Sequence, residues 1–420
     1  MSMNTPENSK PVDKRKVLIV VENLSVPFDR RVWRECHALR DAGYHVSAIS
    51  PMGTERDTSR QETIDGISIY RYPILQSDGG FLSYVLEYGI ASLMSFWLMW
   101  VVLFREGFDV IQICNPPDLL ILIALPFKLF GKRIIFDQHD LSPEIYEVQK
   151  GKGRKQNFVV GALLFFERLT YIFSDVVMVV NESCRKIAVG RGAKRDQDVF
   201  VVRNGPSLQN IKGVQPNPTL KQGMKYLLSY VGMMGPQEGI DLLLRAIREL
   251  VVVHQRSDFH VHIMGGGTVL EEMKKYAIEL GLGQTVTFTG SVDYPHVMEG
   301  IASADLCLCP DPKTALSDKC SLVKAVEYMS LGRTFVAFDL EEVHLFAADA
   351  ALYAQPNDER DFAAKIEGLL NNDELRASMG KIGRERVIQR LTWEHSMEAL
   401  YAAYDKAFEK RAGAMVEATK

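Results

Sequence analysis

Short β-branched runs alternate with longer amphipathic stretches along most of the chain, from Val17 to Ala354. This alternation is typical of βα units around a parallel sheet, because strands that helices cover on both faces are apolar over nearly their whole length. The pattern predicts two successive groups of strands with helices between them. The first group is 17–21, 45–50, 110–113, 133–137, 176–180 and 199–202, and the second is 227–231, 261–264, 286–289, 306–309 and 335–338.

A segment without apolar periodicity, 205–223, separates the two groups and is rich in Pro, Gly and Asn. Such a composition predicts a linker between domains. We therefore expect an α/β protein of two facing, doubly wound domains, 1–208 and 209–392, with ligands beyond the carboxyl ends of the strands. The pattern after Asp358 is purely helical, and the last helix, within 393–420, is predicted to brace one domain against the other.

One apolar segment, 81–104, contains Glu87 as its only charged residue and is long enough to span a bilayer. Ser83, Glu87 and Ser95 recur at helical spacing, which favours a helix with one narrow polar side. Three interpretations stay open: a helix that spans the membrane, one that lies on its surface, and one that is buried or lines a groove. The basic loop 150–155 suits anionic lipid headgroups or a lipid diphosphate, or is simply a solvated surface loop.

Composition narrows the range of partners. The 420 residues include 49 basic and 53 acidic side chains, a net charge of -4, so no general attraction to nucleic acid is expected and any anion must be held by a local site. The six cysteines lack a CxxC pair or metal-ligand spacing, which predicts reduced, mostly buried thiols in a cytoplasmic protein and no metal site. The first 16 residues are polar and lack the apolar core of a secretory signal.

Two loops in the first half of the chain contain candidate catalytic or binding residues. The loop after the first strand places Asn23, Arg30 and Arg31 near a strand's carboxyl end, where arginines can clamp an anion, although exposed arginines that pair with neighbouring carboxylates are equally consistent. The segment FDQHDLSPEIYE delivers His139 and Asp140 from a buried strand to the same edge. A histidine there can exchange protons near neutral pH.

The second half contains two candidate anion sites. The glycines 265–267 join a strand to a helix and allow backbone N–H groups to approach a phosphate, although glycine turns also serve only to reverse the chain. Further along, Lys319 and the N–H groups of Ser321 and Leu322 precede a helix and suit a diphosphate. Glu327, two turns into that helix, suits the vicinal hydroxyls of a ribose.

Together these segments resemble the retaining nucleotide-sugar glycosyltransferases of the GT-B fold, in particular family 4. The resemblance runs over almost the whole chain, including VLIVVENLSVPFDRRVWRE, CNPPDLL, FDQHDLSPEIY, VVRNGPS, VGMMGPQEGIDLLLRAI, IMGGGTVLEEM and VEYMSLGR. It implies two Rossmann-like domains, a donor site mainly in the second, an acceptor site in the first, and a C-terminal helix that returns to the first domain. It also implies retention at the anomeric carbon and no metal or cofactor.

The chain departs from the family pattern at the donor site. Glu327 matches the second acid of the family's Glu, seven residues, Glu pattern, but the first acid is replaced by Lys319, with Asp318 adjacent. The family's diphosphate-binding Arg and Lys are here Met233 and Glu238. Since electrostatic stabilisation by one such group is often worth about 3 kcal/mol, we expect other cations to replace them. The candidates are Lys319 with Lys324, Arg203 or Arg333.

The expected site residues fall into three groups. They are His139, Asp140, Lys319 and Glu327 as catalytic residues; Gly232, Met234, Gly265, Gly266, Asp318, Lys319, Ser321, Leu322, Glu327, Arg203 and Asn204 on the donor side; and Asn23, Arg30, Arg31 and Asn115 on the acceptor side.

The resemblance implies transfer of a sugar from a nucleoside diphosphate sugar, with UDP as the expected nucleotide, to a saccharide or polyprenyl-diphosphate-linked acceptor. The setting expected is cell-surface polysaccharide biosynthesis at the cytoplasmic face of the inner membrane. A nucleotide-sugar epimerase or hydrolase on the same fold and a catalytically weak scaffold subunit remain alternatives.

Overall fold

The computed structural model of the chain describes residues 15–53, 56–73, 81–151 and 153–418, without the side chains of 81–86, 149, 155, 210 and 410–418. The predicted polar start of the chain therefore lies almost entirely outside the described residues. Lys152 and the side chains of Ser83 and Lys155 also lie outside them.

The strands are short and, with few exceptions, buried along their whole length. They are β1 Lys16–Val20, β2 His45–Pro51, β3 Gln61–Ile64, β4 Ile67–Tyr72, β5 Val110–Cys114, β6 Arg133–Gln138, β7 Val176–Val179, β8 Val199–Val201, β9 Tyr226–Val231, β10 Phe259–Met264, β11 Val286–Gly290, β12 Leu306–Cys309, β13 Phe335–Phe338 and β14 Ala351–Ala354.

Helices fill the connections between most of these strands. They are α1 Arg30–Asp41, α2 Phe81–Arg105, α3 Leu120–Lys128, α4 Ser142–Lys150, α5 Arg154–Phe173, α6 Glu182–Val189, α7 Leu208–Ile211, α8 Ile240–Val252, α9 Leu270–Glu279, α10 Tyr294–Ser303, α11 Val323–Ser330, α12 Glu341–Ala347, α13 Glu359–Leu370, α14 Asp373–Arg390 and α15 Trp393–Ala418.

The chain forms two compact units. The first unit contains the described residues up to Val179, Arg185–Val202 and the chain from Met397 onward, and the second contains Val180–Cys184 and Arg203–Ser396. The structure thus groups 180–184 and 203–208 with the second unit, whereas the predicted boundaries assign both segments to the first domain. Most of α15 belongs to the first unit, where the Tyr401 hydroxyl donates to the Ala38 carbonyl.

The first unit is built on an eight-stranded sheet in the order β3-β4-β2-β1-β5-β6-β7-β8. All neighbouring pairs are parallel except the β3–β4 hairpin. This hairpin was not predicted, although the sequence contains a signal for it. Asp65 and Gly66, between the two strands, both have positive φ, 52° and 80°. Asp-Gly at such a position is typical of a tight hairpin turn.

The second unit is built on a six-stranded parallel sheet in the order β11-β10-β9-β12-β13-β14. Separate clusters of buried side chains cover the two faces of the sheet, one with Leu244 and Phe362 from α8 and α13, the other with Ile301 and Ala325 from α10 and α11. Every predicted strand of both halves is present. The unpredicted β14 is an edge strand with the sequence ALYA, which contains no β-branched residue.

The second sheet opens between its central strands β9 and β12, whose register ends at the pair Ser229 and Cys307. Beyond that pair, the buried Tyr328 hydroxyl of α11 accepts from the Val231 N–H at 3.0 Å and donates to the Leu308 carbonyl at 3.2 Å. The chain leaves β9 toward β10 on one side, and β12 lies on the other. This is the position where open α/β sheets bind ligands.

Helix α2 is apolar on its buried side and also on its exposed side. Met99 and Val102 are fully buried together with Ser95, whereas Leu93, Trp97 and Phe104 are 68%, 62% and 80% exposed. Surface helices of soluble proteins have a polar face toward water instead. Among the described residues, Glu87–Arg105 is the one stretch whose length and composition would allow it to cross a membrane.

We expect Tyr328→Phe to lower the free energy of unfolding by about 1–3 kcal/mol, because two buried backbone groups lose their partner while the ring is retained. Urea unfolding with an unchanged denaturant slope measures this. Tyr44→Phe is the matched control, since the Tyr44 hydroxyl contacts Arg15 in an exposed position. Equal stability of the Tyr328 variant and the wild type would contradict a bridging role for the hydroxyl.

Candidate functional site

Arg31 lies inside the first unit. Its guanidinium is 2.7 Å from the Asp137 carboxylate and 3.2 Å from that of Glu35, and it donates to the Val202 carbonyl at 2.8 Å. Burial opposes its charge, but Asp137 and then Glu35 outweigh burial and raise the pKa of Arg31. Its predicted role as an acceptor-side anion clamp is therefore replaced by a structural one, because internal carboxylates already balance its charge.

Asp137, near the end of β6, connects Arg31 to His139. The carboxylate is 2.7 Å from His139 Nε2 and accepts from the Gln112 amide at 3.0 Å. Burial disfavours the protonated form of His139, but Asp137 outweighs burial and raises the pKa of the imidazole. Since Nε2 faces Asp137 and Nδ1 has no hydrogen-bond partner among the described residues, Nδ1 is the nitrogen that can meet a ligand.

Asn115 fixes the backbone at two of the four predicted catalytic residues, His139 and Asp140. Its side-chain oxygen accepts from the N–H groups of His139 and Asp140 at 2.7 and 3.2 Å, and its amide donates to the Asp140 carbonyl and to Asp118. With 1% exposure, Asn115 positions this loop and its side chain is not placed to touch an acceptor. Burial, partly offset by His139, raises the pKa of Asp140.

The loop after β1 contains a carboxyl group that the sequence reasoning passed over. Asn23 and Arg30 are exposed. Glu22, which precedes them in the loop, is only 8% exposed, and its Oε2 has no hydrogen-bond partner among the described residues. Burial, and then Glu87 of α2, raise the pKa of Glu22 to about 8. Its signal in the sequence is a single carboxylate directly after the apolar run VLIVV.

Two loops of the second unit, 232–234 after β9 and 265–267 after β10, pack directly on each other. The Gly232 N–H donates to Met264 and the Met234 N–H to Gly266. A β-carbon on Gly265 would collide with the Gly232 carbonyl, so this close approach requires glycine irrespective of any ligand. Contact of Gly232, Gly265 and Gly266 with phosphate stays a prediction, whereas the fully buried Met234 side chain belongs to the core.

Polar contacts within the second unit hold the segment before α11. Asn181, which the sequence reasoning missed, donates to the Lys319 carbonyl at 2.7 Å and to Ser321 Oγ at 3.0 Å. The Asp318 carboxylate accepts from the Glu341 N–H at 2.7 Å, at the start of α12, and pairs with Lys313. These contacts within the protein compete with the sugar contact predicted for Asp318. Leu322 is the N-cap residue of α11, and its side chain is buried.

Three predicted donor residues line one small cavity of about 20 Å³, namely Arg203, Asn204 and Ser321. The Arg203 guanidinium is 3.2 Å from the fully buried Glu342, which also accepts from Ser183 Oγ at 2.7 Å. Arg203 is therefore already paired, and its charge is not an unopposed substitute for the family's diphosphate cations.

Helix α11 presents Lys324 and Glu327 on one side, three residues apart and both partly exposed. The Lys324 ammonium is 2.9 Å from Asp311 and 2.7 Å from Glu238. Burial opposes its charge, but Asp311 above all outweighs burial and raises the pKa of Lys324. Arg333, another predicted candidate, donates to the Ala302 carbonyl.

One group of potential metal ligands occurs among the described residues: Cys114, Asp137 and His139, whose ligand atoms lie within 4.8 Å of one another. Arg31 is bonded to the same Asp137 carboxylate at 2.7 Å. A cation at this position would face the guanidinium, so the donor set fits a metal poorly.

Two family models match the chain and together cover most of it. The model for glycosyl transferases group 1 matches residues 212–386, and that for the glycosyl transferase 4-like domain matches residues 29–205. The chain belongs to the group 1 glycosyltransferases. The family and the GT-B fold that the resemblance implied are thereby confirmed for this glycosyltransferase.

Curated relatives match only part of the glycosyltransferase. An uncharacterized glycosyltransferase of Methanocaldococcus jannaschii is 24% identical over 42% of this chain and 47% of its own, and a D-inositol 3-phosphate glycosyltransferase of Corynebacterium jeikeium is 26% identical over 43% of each. The matches thus span less than half the length of these relatives.

Solved structures match nearly the whole glycosyltransferase in fold. Sucrose-phosphate synthase of Thermosynechococcus elongatus has a TM-score of 0.74 at 18% identity, covering 94% of this chain and 100% of its own. Anabaena HepE, solved in complex with UDP, has a TM-score of 0.66 at 15% identity, covering 93% and 99%.

We expect Glu22→Gln to gain stability relative to the wild type as the pH rises from about 5 to about 8. The pKa of Glu22 is about 8 in the folded protein against an ordinary value of 4.5, so the folded state keeps the proton longer than the unfolded state. The wild type therefore has its full stability below this window and loses part of it as the pH rises, whereas glutamine has no proton to lose.

Urea unfolding of both proteins at several pH values measures this difference. Glu271→Gln, at an exposed glutamate, is the control and should follow the wild type throughout. A Glu22→Gln difference that does not change with pH would contradict the raised pKa.

Proposed function

We propose that this glycosyltransferase transfers a sugar from a nucleoside diphosphate sugar, with UDP as the expected nucleotide, to a hydroxyl of a saccharide or polyprenyl-diphosphate-linked acceptor, with retention of anomeric configuration. The observation that carries the proposal is the position of Glu327. This match to the family's ribose-binding acid is partly exposed on α11, three residues after Lys324, whose ammonium contacts Asp311 beyond the end of β12.

The donor side of the proposal uses the second unit. Glu327 would accept hydrogen bonds from the two ribose hydroxyls. The first turn of α11 would face the diphosphate with backbone N–H groups, which suit an anion. The loops at Gly232 and Gly265, whose own N–H groups donate to Met264 and Gly290, would let the diphosphate approach the backbone closely. Solved relatives in complex with UDP or a UDP-sugar support this choice of donor.

The acceptor side of the proposal uses the first unit. His139 is held by Asp137 through Nε2, and its backbone is held by Asn115, so Nδ1 has a fixed direction. In the mechanism that the resemblance implies, the diphosphate departs and the acceptor hydroxyl attacks from the same face. Protein groups then act by positioning and charge stabilisation, and no metal or cofactor is required.

Incubation of the protein with UDP-, GDP- and dTDP-sugars, with and without membrane lipid extract, tests the proposal. We expect nucleotide release that depends on the extract. Release or conversion without extract would support the alternative of an epimerase or hydrolase, and a folded protein that is inactive with every donor would support a scaffold.

Glu327→Ala tests the site assignment. Since hydrogen bonds to a charged group contribute about 1.5–3 kcal/mol each, the loss of two should reduce kcat/KM for the donor about 100-fold or more. Glu271→Ala, at an exposed glutamate of α9, is the matched control. Unaffected transfer by Glu327→Ala would remove Glu327 from the donor site.

We further propose that the protein acts at the cytoplasmic face of the inner membrane, in cell-surface polysaccharide biosynthesis, and binds the membrane through α2. The outward face of this helix is apolar, with Trp97 and Phe104 more than half exposed. Phe130, at the end of α3, contacts Trp100 edge to face and is itself 57% exposed, so it extends the apolar face. Aromatic side chains on such a helix are suited to the boundary between headgroups and acyl chains.

Binding to phosphatidylglycerol vesicles tests this proposal. We expect the double variant Trp97→Ser/Phe104→Ser to bind at least about tenfold more weakly, because the apolar area lost is worth more than 1.4 kcal/mol. Ile278→Ser, at a 71% exposed residue of the second unit, is the matched control. Equal vesicle binding by the double variant would exclude this face of α2 as the membrane contact.

A further inference from the structure

Lys324 lies where the second sheet opens. Its ammonium contacts the Asp311 carboxylate through both oxygens, at 2.9 and 3.0 Å, and Glu238 Oε2 at 2.7 Å. The Tyr230 hydroxyl is 3.3 Å away and donates to the same Glu238 oxygen. One cation is thus shared by two carboxylates.

The two carboxylates are held differently. Asp311 follows β12 and is 5% exposed, so it is a fixed partner. Glu238 ends the short 3-10 turn Pro236–Glu238, between Gly235 and Gly239, and its side chain is 18% exposed. A glutamate on a surface turn between two glycines can turn away from Lys324 without disturbing a strand or a helix, which Asp311 cannot do.

Lys324 also lies directly under the loop after β9. A β-carbon on Gly232 would meet the Tyr230 hydroxyl and would be 3.4 Å from the Lys324 ammonium, and no other charged group of the described residues is as near. For a diphosphate seated on this loop, Lys324 would therefore be the nearest cation in the described part of the chain. With both carboxylates in place the cluster has one positive and two negative charges, which opposes an anion until one carboxylate leaves.

The other predicted cations are less suited to this role. Arg203 pairs with the buried Glu342, and Arg333 donates to the Ala302 carbonyl. The backbone of Lys319 is held by Asn181, which donates to its carbonyl. This contact does not place the Lys319 ammonium near Gly232.

We propose that Lys324 is the cation for the donor's diphosphate and that Glu238 is its exchangeable partner, which holds the ammonium in the empty site and releases it to the phosphate. The inference rests on the proposed function and specifies how its donor site works. The family's cations at the positions of Met233 and Glu238 are then replaced by one ammonium from α11, and the glutamate makes the site selective for ligands that carry enough negative charge to displace it.

Calorimetric binding of UDP and of uridine to the full-length protein tests the exchange. In Glu238→Gln, which retains the size and hydrogen bonding of the side chain, we expect UDP to bind about tenfold more tightly and uridine to bind as in the wild type, because only the diphosphate competes with the carboxylate. Glu271→Gln is the control and should change neither affinity.

Lys324→Met gives the complementary result. We expect it to weaken UDP binding about tenfold or more, toward that of uridine, since the diphosphate loses its cation. If the unpaired Asp311 prevents folding of this variant, Asp311→Asn/Lys324→Met removes the buried charge and carries the same expectation for UDP.

The outcomes separate this inference from the proposed function. Wild-type protein that is folded but binds none of UDP, GDP and dTDP overturns both. Nucleotide binding in which Glu238→Gln changes UDP and uridine equally, or weakens UDP alone, overturns the exchange and leaves the proposed function intact. If GDP or dTDP is the nucleotide that binds, that nucleotide and its nucleoside replace UDP and uridine in every arm.

Discussion

The separation of β9 from β12 is the constraint on which the donor half of the molecule depends. Two parallel strands that stop pairing leave backbone groups without partners in the middle of a sheet, and such groups must be satisfied. The Tyr328 hydroxyl does this for Val231 and Leu308 and thereby anchors α11 in the gap. Since Lys324 and Glu327 belong to the same helix, a structural hydroxyl sets the depth of both candidate ligand contacts.

Buried charge organises both units in the same manner. In the first, Arg31 and His139 share Asp137, and in the second, Lys324 shares Asp311 and Glu238. Removing one member of such a cluster leaves an uncompensated charge in a medium of low dielectric constant, which is far costlier than losing an exposed pair. In these two clusters, buried ion pairs fix side chains near the ends of β6 and β12, where the positions of single atoms decide chemistry.

The fold was largely predictable from the sequence, and the site only in part. Strands covered on both faces leave an unmistakable run of apolar residues, whereas edge strands such as β14 do not. Glu327 was singled out through a local pattern and stays a prediction. For Arg31 the sequence left an anion clamp and pairing with a neighbouring carboxylate equally open, because its partner Asp137 is 106 positions away. Lys324 was left as a minor candidate because Glu238 is 86 positions away. Pairings at such distances cannot be read from a single sequence.

The exposed apolar side of α2 has a consequence for how the protein behaves in solution. Ordinary overall composition suggests a chain that stays dissolved, but the folded surface concentrates aromatic rings on one side. Without lipid or detergent, those rings can leave water only by meeting another copy of the chain, since contiguous apolar surface drives association. Aggregation of the purified protein at high concentration, reversed by mild detergent, would then be a property of the correctly folded protein and not a sign of misfolding.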